Sequence, residues 1–428
     1  MTFPPRQQLV CKNLAKMPLP SQNPAQMRDP ADELNSLTEQ KLRRGLREIE
    51  ASSPTTVTVE GRQLVNFSSN DYLGFAHHPA LREAAQEAAA RFGCGSTASR
   101  LVCGSQRIQH ELEEELAAAK KRPAALTFAN GYATALGTLG ALLRKGDTVI
   151  LDKLSHASLI DGARLSGATL RVFPHNRLDK LEHLLRQSRE KAGREARVIV
   201  VTESVFSMDG DIAPLAGIVE LKERYGAWLL VDEAHGFGIF GKKGLGVIEE
   251  LGLQERVELQ MGTLGKALGS AGGYLAATRE IIDLLINKAR SLIYSTAPPP
   301  AQHAASLAAL RLLLSAEGRE IRARLHRNIN RFHEQLATTG LPLPENRSQI
   351  IPLILGDNQA ALSAARFLNA HGFLVPAIRY PTVPREAARL RLTLSASHQE
   401  AQLEALGALL LDISRNQADT PTPREDSL

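Results

Sequence analysis

The 428-residue sequence is poor in several features, and each scarcity excludes a class of protein. Its three cysteines, Cys11, Cys94 and Cys103, form no CxxC pair, and an odd number suits free thiols in a reducing cytoplasm better than a disulfide framework. No apolar run approaches the roughly 18 residues that span a bilayer, and no signal-peptide core opens the chain. The net charge of +5 is spread out, without the basic clusters of a nucleic-acid binder. We therefore expect a cytoplasmic enzyme.

Motifs for nucleotide and metal binding are missing or out of context. No GxxxxGK[ST] loop occurs, and His77-His78 has no partner ligands at a spacing typical of metal sites. Residues 236–241 fit G-x-G-x-x-G after a strand, but a dinucleotide site needs a helix that opens at these glycines. Gly244 and Gly246 would break such a helix, so we expect no nicotinamide cofactor. Because the two histidines have no partner ligands, we expect no metal either.

The chain divides into regions of different texture. Prolines without hydrophobic periodicity predict a disordered N-terminal extension over 1–35, and polar residues predict a flexible tail over 416–428. An N-terminal arm with short strands over 36–75 should lead into a large α/β domain over 76–297. A smaller α+β domain over 298–415 should follow it.

Within the large domain, strands that are apolar throughout alternate with helical segments. The segments 148–152, 197–204 and 227–235 show this pattern. Such strands predict a mostly parallel sheet that helices cover on both faces, which is an α/β fold. Ligands bind beyond the carboxyl ends of the strands in such sheets, so the polar residues after each strand are candidates for a site.

Three of these residues suit pyridoxal phosphate (PLP). Lys266 lies between Gly265 and a second glycine cluster, where a lysine can be a Schiff-base nucleophile or simply a solvated side chain. Asp232 and His235 follow the strand at 227–231. PLP needs a carboxylate that keeps its pyridine nitrogen protonated, a donor to its phenolic oxygen and a lysine for its aldehyde. Together the three residues predict a PLP site.

Further polar residues lie where a phosphate or a ring could bind. Asn130-Gly131-Tyr132 lies where a strand gives way to a helix, which is a common anion site. Ser207 and Thr263 are candidate hydroxyl donors, although such hydroxyls are more often turn or cap residues. His156 follows another strand and could stack on the cofactor ring or cap the next helix.

Over residues 38–414 the sequence resembles the PLP-dependent α-oxoamine synthases of fold type I. Members of this family join an amino acid to an acyl thioester with loss of carbon dioxide, and they are obligate homodimers. The resemblance implies a large domain with a mostly parallel central sheet and a smaller C-terminal α+β domain. The matching blocks are NFSSNDYLGFAHHPAL, LSHASLIDGARLS, VVTESVFSMDGDIAPL, VDEAHGFGIFG, TLGKALGSAGGY and LIYSTAPPPAQ.

The resemblance assigns roles to individual residues. Lys266 would bind the PLP aldehyde, Asp232 the pyridine nitrogen and His235 the phenolic oxygen. The implied catalytic set is Lys266, His156, Asp232 and His235. The residues implied to contact PLP or its surroundings are Gly131, Tyr132, His156, Glu203, Ser207, Asp232, His235, Thr263, Lys266 and Thr296. Those implied on the substrate side are Arg47, Asn70, Arg379 and Thr382.

A C-terminal stretch bears on the substrates. VPAIRYPTVPREAARLRLTLSASH resembles the biotin-pathway members, which use L-alanine and a pimeloyl thioester of acyl carrier protein or coenzyme A. Arg379 would hold the alanine carboxylate, Thr382 would lie near the acyl substrate, and Ser295-Thr296 would reach the phosphate bound by the second subunit.

Some residues depart from the family pattern. Tyr380 replaces a usual proline, and the loop GSTASRLVCGS (95–105) replaces a glycine-rich one. These departures leave glycine C-acetyltransferases and 5-aminolevulinate synthases open as alternatives. A non-catalytic partner subunit is a further alternative, which the presence of Lys266, Asp232 and His235 argues against. The family's N-terminal arginine matches Arg47 by its GLR context and Arg44 by an ungapped count.

Overall fold

The structure is a computed structural model that describes residues 29–191, 193, 195–338 and 348–418. It divides into an N-terminal unit that ends at Arg47 and a second unit, Glu48–Leu428. The N-terminal unit contains helix α1 (Pro30–Glu39), which begins because the Asp29 side chain accepts from the Ala31 N–H and because proline suits the first helical position. The predicted extension over 1–35 is therefore too long at its end, and its residues 1–28 lie outside the described part.

The elements of the second unit follow one another in three groups. The first group contains β1 (Ala51–Ser52), β2 (Thr56–Val59), β3 (Arg62–Asn66), a 3₁₀ turn (Phe75–His77), α2 (Pro79–Phe92), α3 (Arg100–Cys103) and α4 (Arg107–Ala119). The second contains β4 (Ala124–Phe128), α5 (Gly131–Leu142), β5 (Thr148–Asp152), α6 (Ala157–Leu165), β6 (Thr169–Phe173), α7 (Leu178–Lys191), β7 (Val198–Glu203), α8 (Leu215–Arg224), β8 (Trp228–Asp232), α9 (Val247–Glu250), β9 (Leu259–Thr263), β10 (Gly273–Ala277), α10 (Arg279–Lys288) and α11 (Arg290–Ile293). The third contains α12 (Pro300–Leu314), α13 (Ala316–Ala337), β11 (Ile350–Gly356), α14 (Asn358–Ala370), β12 (Phe373–Leu374), β13 (Ala377–Ile378), β14 (Ala388–Thr393) and α15 (Glu400–Ala418).

The central sheet has seven strands in the order β4-β10-β9-β8-β7-β5-β6. Its strands are parallel except for β10, which runs antiparallel to both neighbours. Along β8, Leu229 and Val231 belong to one hydrophobic core and Leu230 to another, because successive side chains point to opposite faces. The apolar strands are thus covered on both faces, and the predicted fold class is confirmed.

Two smaller sheets flank this one. Strands β1, β2, β3 and β12 form a four-stranded sheet, and β11, β14 and β13 form an antiparallel sheet. The apolar segment 373–378 is split between the two sheets, with Phe373–Leu374 beside β3 and Ala377–Ile378 beside β14. Pro376 lies at the break, where a proline cannot donate a ladder hydrogen bond.

Two predicted boundaries lie in the C-terminal region, namely the start of the smaller domain at residue 298 and the start of the tail at residue 416. Helix α12 contacts α2 and α4, and Arg311 on α12 pairs with Glu115 on α4. Because residues 48–428 form one compact unit, the predicted division between 297 and 298 stays a prediction. Helix α15 runs to Ala418, beyond the predicted start of the tail at residue 416, because Leu403, Leu406 and Leu410 anchor one of its faces in the core. Residues 419–428 lie outside the described part.

The glycine motif at 236–241 does not open a helix. The described residues 236–246 form turns, and the next helix, α9, begins only at Val247. The prediction that no helix opens at these glycines is therefore confirmed. Within the described ranges, no helix is long and apolar enough to cross a bilayer.

Candidate active site

The candidate site lies at the carboxyl edge of the central sheet. Glu203 ends β7 and pairs in register with Asp232, which ends β8 and pairs with Met261 on β9. Parallel strands bring these ends to one edge, so carboxylates far apart in sequence become neighbours. A cavity of about 190 Å³ opens there. Its lining residues are Gly131, Tyr132, His156, Ser158, Glu203, Asp232, Ala234, His235, Met261, Gly262, Thr263 and Lys266.

Lys266 lies in the turn between β9 and β10, and glycines fix that turn. Gly269 has φ +60°, and a Cβ there would lie 2.2 Å from the Ala76 backbone nitrogen. A Cβ on Gly238 would lie 2.4 Å from the Ala267 Cβ. These close approaches require residues without side chains, and they press the lysine turn against its neighbours. The predicted glycine-flanked lysine is therefore held in place rather than free on a flexible turn.

The Lys266 amine contacts His235. Its Nζ lies 2.7 Å from His235 Nε2. Burial lowers the pKa of Lys266 to about 8, although the carboxylates of Asp232 and Glu203 act in the opposite direction. Burial also holds the pKa of His235 well below its usual value, and the nearby charges of Lys266 and Arg391 add to this effect. Near neutral pH the imidazole is thus uncharged, and a sizeable fraction of the amine is too.

Two carboxyl groups share the floor of the cavity. Asp232 accepts from the Ala234 N–H at 2.9 Å, and Glu203 lines the cavity beside it. Burial and then repulsion by Asp232 raise the pKa of Glu203 to about 8. The Oε1 atom of Glu203 is buried and has no hydrogen-bond partner among the described residues. A buried unpaired oxygen at this edge is typical of a site that awaits a polar ligand.

His156 caps the next helix, which was one of its two predicted roles, and its stacking on the cofactor ring stays a prediction. Its Nδ1 atom accepts from the Ser158 N–H at 3.2 Å and so caps helix α6. Its ring also lines the cavity, where burial lowers its pKa. Capping fixes the ring orientation, which a stacking role would require.

The first turn of α5 lines the cavity next to Thr263. Gly131 and Tyr132 line the cavity there, and a Cβ on Gly131 would meet the Thr263 Cβ at 3.8 Å. The Asn130 side chain accepts from the Ala133 N–H at 2.8 Å, which caps this helix. Thr263 Oγ1 accepts from the Gly265 N–H at 3.2 Å. A helix N-terminus beside a hydroxyl suits a phosphate.

A chain of hydrogen bonds behind His235 was not predicted. Arg391 Nη1 and Nη2 each lie 3.2 Å from Asn70 Oδ1, and the Tyr72 hydroxyl donates to the same oxygen at 2.9 Å. The Tyr72 hydroxyl also lies 2.6 Å from His235 Nδ1. Arg391 is 5% exposed and Tyr72 is fully buried. The side chains of Tyr72 and His235 thus link Asn70 to Lys266 through hydrogen bonds.

Several predicted residues lie outside the lining of this cavity. Ser207 contributes its carbonyl oxygen, which accepts from Arg391 Nε at 2.6 Å. The Thr382 N–H donates to the Arg379 carbonyl, and Thr296 is exposed near the end of α11. The ligand contacts implied for these residues stay predictions. Arg47 belongs to the N-terminal unit, and its role stays a prediction too.

The residues of the cavity fit PLP. A carboxylate, a lysine with a lowered pKa, a neutral imidazole and a helix N-terminus surround one space, and the unpaired Glu203 oxygen leaves a polar contact to be made. Across the described part of the chain, no group of three or more metal-ligating side chains is found.

Comparisons with known proteins agree with this geometry. A family model for class I and II aminotransferases matches residues 62–409. The 8-amino-7-oxononanoate synthase of Geobacter sulfurreducens is 47% identical over 385 residues, which cover 90% of this chain and 97% of the relative. That of Methylococcus capsulatus is 46% identical over 385 residues, covering 90% of this chain and 98% of the relative.

Solved structures give the same picture. A serine palmitoyltransferase variant from S. paucimobilis, solved with a PLP–myriocin aldimine, matches with a TM-score of 0.85 and 30% identity, and covers 91% of this chain and 100% of that one. An 8-amino-7-oxononanoate synthase from Francisella tularensis matches with a TM-score of 0.70 and 30% identity, over 82% and 97% of the two chains.

The chain belongs to the class I and II aminotransferase family, and its fold is that of the fold type I PLP-dependent transferases. Within that family its curated relatives are 8-amino-7-oxononanoate synthases. The predictions of a PLP-dependent acyltransferase and of the biotin-pathway branch are therefore confirmed.

Proposed function

We propose that this chain condenses L-alanine with a pimeloyl thioester to give 8-amino-7-oxononanoate, carbon dioxide and a free thiol. The observation that carries the proposal is Lys266, whose Nζ lies 2.7 Å from His235 beside Asp232, in a chain 47% identical to a synthase of that name. Either acyl carrier protein or coenzyme A can supply the thiol.

PLP, when bound, supplies an electron sink for the charge that develops at the amino acid Cα. The residues of the chain position that sink and move protons around it. Asp232 would keep a proton on the pyridine nitrogen, since its carboxylate lies at the end of β8 in the cavity. Lys266 would hold the aldehyde and, once alanine has displaced it, take the Cα proton. With a pKa of about 8, its amine can accept a proton near neutral pH.

The bonds balance with the two substrates and one proton from solvent. The alanine Cα forms a bond to the thioester carbonyl carbon, and the thiolate leaves and takes up the solvent proton. The Cα–carboxylate bond then breaks to release carbon dioxide, and Cα regains a proton from Lys266. His156, at the rim of the cavity, would orient the acyl carbonyl by a hydrogen bond.

Two arginines compete for the alanine carboxylate. Arg379 is the predicted one, whereas Arg391 has its charge close enough to lower the pKa of both His235 and Lys266. A guanidinium can grip a carboxylate with two parallel hydrogen bonds, which a lysine cannot reproduce. Alanine titrations of Arg379→Lys and Arg391→Lys, followed by the PLP absorption spectrum, distinguish the two. The variant with the larger rise in apparent Kd identifies the carboxylate ligand.

The proposed assembly is a homodimer with shared sites. Exposed apolar side chains lie on α3, at Leu101 and Val102, and beside α11, at Tyr294, which is 73% exposed. Such residues are unusual on a free surface and suit a subunit interface. If Thr296 completes the second subunit's site, mixing inactive Lys266→Ala with a Thr296→Val variant of low activity should restore turnover. Activity no greater than the sum of the two variants would contradict the shared site.

Lys266→Ala tests the chemical assignment. The variant should lose turnover while it keeps its fold by circular dichroism, because the lysine is needed for the reaction and not for packing. Borohydride reduction of the PLP-loaded parent should label the peptide that contains residue 266. Measurable turnover by the variant, or a label on another lysine, would overturn the assignment.

A further inference from the structure

Loop 95–105, which departs from the family pattern, is attached to the segment that leads into helix α12. The Ser96 hydroxyl donates to the Pro298 carbonyl at 2.6 Å. The Ala297 N–H donates to the Ala98 carbonyl at 3.0 Å. One side-chain bond and one backbone bond therefore hold two consecutive residues of this segment against the loop.

This attachment fixes the backbone next to Thr296. Residues 298–300 are prolines, which have a fixed φ and no N–H, so the Ala297 N–H is the last backbone donor before α12 begins. Thr296 is exposed and lies outside the lining of the cavity in its own subunit. Its side chain is thus available for a contact with a second subunit, as the shared site of the proposed homodimer requires.

Arg100 anchors the loop to helix α4. Its Nη1 and Nη2 atoms donate to the two carboxylate oxygens of Glu113 at 2.6 and 2.9 Å, and its Nε atom donates to the Ser105 hydroxyl at 2.9 Å. Both side chains of the ion pair are only 10% exposed. A bidentate pair that is shielded from water is stronger and more directional than an exposed pair. Arg100 therefore joins the middle and the end of the loop to α4.

Glu113 is itself fixed by the central sheet. Its Oε1 atom accepts from the N–H and from the hydroxyl of Thr127, each at 2.8 Å, and Thr127 lies on β4. Both Glu113 and Thr127 are buried. The anchor of the loop is thus continuous with the sheet that carries the site, and does not depend on a surface helix alone.

The loop contains a strained residue that such an anchor would hold in place. Thr97 has φ +59°, in the left-handed region that a β-branched residue seldom adopts. It lies between Ser96 and Ala98, the two residues that contact the segment before α12. A strained conformation persists only where surrounding contacts enforce it. The contacts of Ser96 and Ala98 are therefore maintained against the local preference of the chain.

We propose that Arg100 is a positioning residue that places Thr296 for the site of the second subunit. Its ion pair with Glu113 fixes loop 95–105, which in turn holds residues 297–298. The inference rests on the proposed homodimer with shared sites. An ion pair that only stabilised its own subunit would affect the site of that subunit, whereas a positioning role affects the site of the other one.

The first measurement follows the segment without cofactor or substrate. Arg100→Lys keeps a positive charge beside Glu113, but a lysine cannot make the bidentate contact and the bond to Ser105 together. Hydrogen exchange of the full-length protein is read by mass spectrometry on the peptide 293–300, in which the three prolines carry no amide proton. The variant should exchange the Ala297 amide faster than the parent does. Parent-like exchange would overturn the proposal.

The second measurement separates the two subunits. Heterodimers are purified from differently tagged chains of which only one keeps Lys266, so the visible absorption of PLP bound to that lysine reports a single site. Placed in the Lys266→Ala subunit, Arg100→Lys should raise the apparent Kd for PLP at the other subunit's site about tenfold, because a misplaced Thr296 loses a hydrogen bond to a charged phosphate. Placed in the subunit that keeps Lys266, it should leave this Kd unchanged.

Two further variants make the test independent of one substitution. Arg311→Lys weakens the ion pair with Glu115, which joins α12 to the same helix α4 but is more exposed and lies outside the loop. It is the matched control, and should behave like the parent in both measurements. Ser96→Ala removes the donor to the Pro298 carbonyl, and should show the same dependence on the subunit that carries it, even if Arg100→Lys does not fold.

The outcomes are distinct from those of the function test. A rise in Kd only when the variant lies in the subunit without Lys266 supports the proposal. An equal rise in both arrangements, a rise confined to the other arrangement, no rise, or a monomeric parent would each overturn it. Because neither readout needs alanine or an acyl thioester, such a failure leaves the proposed reaction intact, and a different substrate preference leaves this inference intact.

Discussion

The pKa of Lys266 is the quantity on which the chemistry of the site depends most. Burial lowers it to about 8 from the ordinary 10.5. At pH 7 a pKa of 8 leaves about one amine in ten uncharged, against about one in 3,000 at 10.5, which is roughly a 300-fold gain in reactive amine. Replacing Asp232 with asparagine removes a negative charge that raises this pKa, so the variant's pKa should fall further.

Reductive methylation measures this pKa in the protein without PLP. The extent of labelling of Lys266 is followed by peptide mass spectrometry from pH 6 to 11, with exposed Lys153 as an internal reference for the reagent. Limited access would scale the Lys266 curve without moving its midpoint. We expect a midpoint near 8 for the parent and a lower one for Asp232→Asn. A parent midpoint above 10, or an upward move in the variant, would refute the electrostatic account of the site.

The remaining predictions concern the rate, the turn and the stability of the protein. Asp232→Asn should cost several orders of magnitude in kcat, and a loss below about tenfold, or ~1.4 kcal/mol, would make its role structural only. Gly269→Ala should lower both Tm and activity, since its φ is +60° and its Cβ would strike backbone, whereas Gly140→Ala, in open space on a helix, should raise Tm. Burial opposes the charge on His175, but hydrogen bonds to two aspartates raise its pKa to about 10. The stabilisation of the folded protein by the charged His175 is therefore complete below pH 6.5 and is lost as the pH rises through 10. Thermal melts of His175→Gln should show a lower Tm at pH 7 and a smaller loss of stability between pH 8 and 10, and a parent-like profile would contradict this.

The sequence predicted the central sheet well, because its strands are buried on both faces. The segment TVILD corresponds to β5 (Thr148–Asp152), and the apolar run before Asp232 corresponds to β8. Strand β6 (Thr169–Phe173) was missed, since it lies at the edge of the sheet, where its exposed and half-buried residues give no apolar run. The split at Pro376 was missed because 373–374 and 377–378 are individually too short to show a pattern.

The residues that touch the cofactor space were predictable to the extent that they follow strands. Asp232 is the last residue of β8 and His235 follows three residues later, where the rule about carboxyl ends applies. Arg391 was missed because it lies inside a strand, in RLRLTL, where alternating arginines normally predict a solvent-exposed face. The fold buries Arg391 against Asn70 and Tyr72 instead, and only tertiary contacts show this.

The most direct measurement of the central claim is thiol release from a matrix of amino acids and acyl thioesters, with PLP-loaded protein. We predict that L-alanine with a pimeloyl thioester of coenzyme A or acyl carrier protein gives the highest kcat/KM, with one carbon dioxide released for each thiol. Preference for glycine with an acetyl or succinyl thioester would contradict the account, and so would thiol release without carbon dioxide.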